Sequence, residues 1–130
     1  MSSQTQTEIL ASVTMVDQSR ACDLLALSNA DFAATLKRYE DNDEILRFDL
    51  NECPAYPLFQ FDEVSHSIHP TFLSLMKLRT DDWGGKIALL HWLTIPNLSL
   101  RGAKPCDVLA EDADAVLNSF KAEIAEPLNG

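Results

Sequence analysis

The stretch DWGGKIALLHWLTIPNLSLRGAKPCDVL, Asp82 to Leu109, decides how the rest of the chain is read. From Lys86 to Leu93 it predicts a helix in which Ile87, Ala88, Leu89, Leu90, Trp92 and Leu93 leave His91 as the polar interruption. A helix apolar around most of its circumference has to be covered on most sides. Ile95 precedes Pro96, whose ring pushes its predecessor into extended geometry, so the helix is expected to stop there. Leu98 and Leu100 alternate with Asn97 and Ser99, an extended step that would bury both leucines. Gly102 permits a sharp reversal, and Pro105 suits the first position of a new helix carrying Val108 and Leu109.

Moving outward, Pro70 opens a helix with Phe72, Leu73, Leu75, Met76 and Leu78 on it, ending near Arg79. Thr80-Asp81-Asp82 stand where they could cap the central helix, with Trp83 packing at its start. Gly84-Gly85 in the first turn is unfavourable by roughly 1 kcal/mol per glycine relative to alanine, which points to close backbone approach or an irregular helix start. On the other side, Asp112 to Ala125 predicts a helix with Val116, Leu117, Phe120 and Ile124 inward. Glu111, Asp112 and Asp114 sit at its start, where the helix dipole favours them. Pro127 ends it.

The amino-terminal half reads as a smaller unit. The first six residues read as a disordered tail, and Glu8 to Val13 as a short helix. Thr14 and Asp17 resemble a capping box for a helix from about Met15 to Leu27. Ser28 to Asp31 repeats the device, and Phe32, Leu36 and Tyr39 then share one helical face. Two helices on a tight link make a helix-turn-helix, with the second as the potential reader of DNA. Ile45 to Phe48 reads as a strand, Asp49 to Glu52 as its reversal and Cys53 to Tyr56 as the return, with Pro54 and Pro57 restricting that strand to an edge. The expected fold is mainly α: a winged helix-turn-helix head with a small β-hairpin over residues 1–61, then a compact helical domain over 62–130.

Composition narrows the function. The chain has 130 residues, 46% of them hydrophobic, and a net charge of −10. Residues 1–61 hold four Lys/Arg against ten Asp/Glu, and 62–130 hold six against ten. Neither half is basic, so phosphate-driven affinity for nucleic acid is expected to be weak, whereas a basic protein partner is suited. Cys22, Cys53 and Cys106 are widely spaced with no CxxC pair, as in a reduced cytoplasmic protein. The polar start lacks a signal arrangement, and no apolar run approaches spanning length.

Catalytic chemistry finds little footing. Ser65-His66, Ser67 with His69, and Cys106-Asp107 are the local nucleophile candidates, and none has a glycine-rich oxyanion context. Gly84-Gly85-Lys86 lacks both the P-loop spacing and the hydroxyl after lysine. His66 and His69 with Cys53 have no fourth ligand at zinc-type spacing. No enzyme activity, metal or cofactor is expected. His91 reads as a core or interface histidine.

The pattern WL-x-x-PN-x-x-L-x-G-x-x-P-x-x-x-L, here Trp92-Leu93, Pro96-Asn97, Leu100, Gly102, Pro105 and Leu109, resembles the toxin-binding domain of the Xre/MbcA/ParS antitoxin family. The head resembles the excisionase-like or MerR-like unit of short members, and Tyr56-Pro57-Leu58-Phe59-Gln60-Phe61 matches their Tyr-Pro-x-Phe-Gln-Phe junction. The likeness runs from about Thr14 to about Ile124. It implies a type II antitoxin that neutralises a cognate protein toxin, often of the RES class acting on NAD, by blocking its active site. It also implies a homodimer and repression of its own operon. Trp92, Asn97, Ser99, Arg101, Lys104, Lys121 and Leu128 are the candidate toxin contacts, and the acidic surface would match a basic cleft. Asn29, Thr35, Lys37, Arg38 and Arg47 are the candidate DNA contacts, opposed by Asp31, Glu40, Asp41, Asp43 and Glu44 on the same elements. The alternatives are an excisionase or MerR-like transcriptional regulator with no toxin, and an interaction module for another partner.

Overall fold

The computed structural model describes residues 3–27, 31–80 and 83–125. Among them are six α-helices and two small antiparallel sheets, a mainly α arrangement. α1 (Ser3–Ala11) begins inside the stretch expected to be a tail, and it lies against α5 (Lys86–Thr94). Thr14 does not open a helix. Met15–Val16 is strand β1, and Asp17 caps α2 (Gln18–Leu24), its carboxylate accepting from Arg20 N at 2.8 Å. The expected box thus yields its second member as the cap, because a strand claims the residues before it. α3 (Phe32–Asp41) follows Asp31, with Leu36 buried and Phe32 and Tyr39 half-buried. The expected cap at Ser28 lies outside the described residues.

The hairpin is displaced from its expected place. Ile45 and Leu46 are fully buried but are not strand; β2 is Phe48–Leu50 and β3 is Cys53–Pro57. Asn51 and Glu52 join them with φ of 53° and 67°, the two left-handed residues that a tight hairpin of matching twist requires. β3 is not an edge: the order is β1-β3-β2. Its two prolines are tolerated because the partners are staggered, β2 pairing with residues 53–55 and β1 with residues 56–57. Pro54 falls opposite Asp49, one step from the pair closing the hairpin, where an antiparallel ladder has no hydrogen bond to lose.

Beside Pro57 the sheet stops, and Gln60 takes over. Its side chain is fully buried; Oε1 accepts from Leu46 N at 2.8 Å, while Nε2 donates to Leu46 O at 3.0 Å and to Pro57 O at 3.1 Å. A second hairpin then forms, β4 (Phe61–Asp62) against β5 (Ser67–Ile68), where the sequence reads as irregular. The boundary expected between residues 61 and 62 falls inside β4.

α4 (Pro70–Leu78), α5 and α6 (Ala113–Ala125) stand where periodicity puts them. Gly84-Gly85 precede α5, with Gly85 its N-cap, so they do not occupy its first turn. The close approach is real at Gly84, where a Cβ would lie 2.8 Å from Ala88 Cβ. Trp83 and Trp92 both present edges to Phe120, at 5.1 and 4.9 Å between ring centroids. One apolar cluster joins Leu24, Leu36 and Tyr56 of the first half to Phe72, Leu93, Val116 and Phe120 of the second.

Candidate protein-docking site

The segment after α5 closes on itself. Ile95 is extended ahead of Pro96, as expected. Asn97 Oδ1 then accepts from Ser99 N at 2.9 Å and from Ser99 Oγ at 2.6 Å, folding the chain into a 3₁₀ turn over Leu98–Leu100. Asn97 O accepts from Leu100 N and Gly102 N, each at 2.9 Å, and Asn97 N donates to Ala103 O at 3.0 Å. Arg101 and Gly102 complete the reversal with φ of 60° and 84°. Ser119 Oγ donates to Ser99 Oγ at 3.0 Å, tying the turn to α6.

This turn overturns the expected leucine step. In a strand, residues two apart share a face; in a turn of three residues per revolution they point well apart. Leu100 is therefore buried, while Leu98 is 96% exposed. Ile95 is 40% exposed beside it, and Pro96 is exposed as well. Among the described residues the remaining large exposed apolar side chain is Val64, at the tip of the β4–β5 hairpin. Behind the turn, Trp92, Asn97, Ser99, Ser119, Ala122 and Glu123 line a hollow of about 180 Å³. Pro105 begins a second 3₁₀ turn, Pro105–Asp107, that ends before Val108 and Leu109, so no longer helix carries them.

The expected toxin contacts separate accordingly. Asn97, Ser99, Arg101 and Lys104 gather on or next to the turn, all exposed except the half-buried Asn97. Trp92 is 5% exposed and belongs to the core, contributing only an edge to the hollow. Lys121 is exposed but lines a different hollow, between α4 and α6, with Ser74, Lys77, Leu78 and Leu117. Leu128 lies outside the described residues. Lys104 also borders a cleft of about 270 Å³ with Thr14, Leu58, Phe59, Thr94 and Cys106 among its walls. Burial, then the neighbouring Asp107, pushes the Cys106 thiol up to about 11, so it is protonated near neutrality and a poor nucleophile.

In the first half, two of the five expected DNA contacts, Lys37 and Arg47, are engaged by the protein's own acids. Arg47 binds Glu40 at 3.0 Å and Asp49 at 2.9 Å, and Lys37 lies 3.4 Å from Asp41. Arg38 is exposed, Thr35 is half-buried, and Asn29 lies outside the described residues. Glu40 also receives the Tyr56 hydroxyl at 3.4 Å. This Tyr56–Glu40–Arg47 set was not legible in the sequence, since its members are drawn from a helix and two strands or their approaches. His91 is exposed, so it is not a core histidine of this chain. Among the described residues no three His, Cys, Asp or Glu side chains are grouped to hold a metal ion, and no helix is long and apolar enough to cross a membrane. No protein-family model, curated protein or solved structure matches the chain.

Proposed function

We propose that this protein is a non-enzymatic antitoxin whose carboxy-terminal half grips a cognate toxin through the turn from Ile95 to Lys104. The observation carrying this reading is Leu98: a large apolar side chain left 96% in water, on a turn held by its own hydrogen bonds, inside the pattern on which the family resemblance rests. A rigid apolar anchor of this kind is what a protein interface uses as its central contact, since little ordering entropy is lost on docking. The resemblance makes a RES-class enzyme acting on NAD the expected toxin. Co-expression with the neighbouring reading frame tests the proposal. The wild type is expected to restore growth, and Leu98→Asp to lose at least ~2 kcal/mol of binding and with it the rescue, at unchanged Tm. A neighbouring product that is harmless alone, or rescue that survives Leu98→Asp, overturns the reading.

The alternative, a winged helix-turn-helix regulator acting without a toxin, has less support. Lys37 and Arg47 already engage carboxylates, and a duplex would have to compete for them. Operator binding, if it accompanies toxin binding, is expected to be weak and lost with modest added salt in a gel-shift with upstream DNA.

A further inference from the structure

The chain carries 20 Asp and Glu in 130 residues, yet from Lys86 to Cys106 there is none. That run contains Lys86, Arg101 and Lys104, and it contains the exposed turn. Arg20, Lys37 and Arg47, elsewhere in the molecule, each have a carboxylate within 4 Å. Among the described residues Arg101 and Lys104, both exposed, have none at that distance, nor do Arg38, Lys77, Lys86 and Lys121, so it is the acid-free run around them that sets the turn apart. Two acids line the same hollows as the turn: Asp107 shares the cleft that Lys104 borders, and Glu123, half-buried, lines the hollow behind Ser99. The turn therefore presents an apolar knob with cations next to it on a molecule that is otherwise strongly acidic.

We infer that the partner's receiving surface is an apolar socket edged with aspartate or glutamate. This rests on the antitoxin reading and names the chemistry of the other side. It reverses the charge matching expected from the whole-chain composition, in which an acidic protein covers a basic cleft. Exposed charges farther apart than the screening length, about 8 Å in physiological salt, hardly feel one another, so at contact the local charges rather than the net charge decide. An acidic-rimmed partner feels the net charge of −10 only weakly through physiological salt and is attracted at the turn. Salt weakens both effects, so the salt dependence of affinity is a poor discriminator and local charge substitution is a good one.

The experiment is calorimetric titration of the full-length protein with the purified product of the neighbouring reading frame, inactivated at its own catalytic residue. Arg101→Glu combined with Lys104→Glu is expected to weaken binding at least tenfold, and Asp23→Lys, on the exposed side of α2, to change it less than twofold. Because Arg101 is left-handed, a milder pair, Arg101→Asn with Lys104→Gln, removes the charges with a residue that tolerates that geometry. It is expected to weaken binding several-fold at unchanged Tm. Unchanged or tighter binding by the charge-removed pair overturns the acidic socket while leaving the antitoxin reading in place. Absence of binding by the wild type overturns both.

Discussion

Gln60 does with one side chain what a neighbouring strand would otherwise do. Leu46 has a buried backbone N–H and C=O next to Pro57, which offers no donor in return, and the Gln60 amide satisfies both. Gln60→Leu is expected to cost about 2–4 kcal/mol in urea unfolding, since it leaves buried polar groups without partners. Tyr56 carries a different signature. Burial first, then Glu40, pushes its phenol from an ordinary value of 10 up to about 12. A pKa raised in the folded state means the neutral phenol favours folding; that contribution is complete below pH 10 and is lost as pH climbs through 12. Between pH 9 and pH 11.5 wild type should therefore lose more stability than Tyr56→Phe, by at most ~2.7 kcal/mol, the remainder of the fall being common to both. The sequence shows both residues only as parts of the Tyr-Pro-Leu-Phe-Gln-Phe string. Nothing in local spacing reveals that Gln60 reaches back to Leu46 or that Tyr56 reaches Glu40, because those partners are set by the tertiary fold.

At the scale of elements, what periodicity can register was legible. α3, α4, α5 and α6 are long enough for a repeat of apolar positions to declare itself, and their ends match proline and polar signals to within a residue or two, except that α5 is capped by Gly85 and not by the expected Thr80-Asp81-Asp82, the last two of which lie outside the described residues. β1, β4 and β5 are two residues each, too short to alternate. Leu98 departs from the expected leucine step for a related reason: alternation over four residues fits a strand and a 3₁₀ turn equally, and the Asn97 side chain chooses the turn. The two glycines before α5 make a matched test. Gly84→Ala forces its Cβ to 2.8 Å from that of Ala88, a short side chain with nowhere to swing, and is expected to destabilise by about 1–3 kcal/mol in thermal melts. Gly85→Ser meets nothing within 4 Å and supplies the N-cap hydroxyl that α5 lacks, so it should stabilise by a few tenths of a kcal/mol.

Across the whole molecule, the mainly α class followed from composition and pattern, whereas the continuity of the core did not. Leu24, Leu36 and Tyr56 share one apolar cluster with Phe72, Leu93 and Phe120, Phe59 meets Phe72 edge-on at 6.0 Å, and His69 N donates to Gln60 O at 2.9 Å. Unfolding is therefore expected to show one transition by both circular dichroism and tryptophan fluorescence, although both tryptophans lie in the second half. Two separated transitions would mean that the halves are stable alone. A sequence reading divides a chain where composition and turns change; it does not see that a helix and a sheet made early will rest on a helix made late.

The seating of α1 on α5 bears on the life of the polypeptide in a cell. The ribosome makes α1 long before it makes the surface that receives it, so on a nascent chain α1 waits unseated until Lys86–Thr94 has emerged. The same dependence runs backwards during turnover. Limited proteolysis followed by mass spectrometry should find that the first cut removing α5 is chased at once by cuts around Ala11, so that loss of α5 hands α1 to the protease.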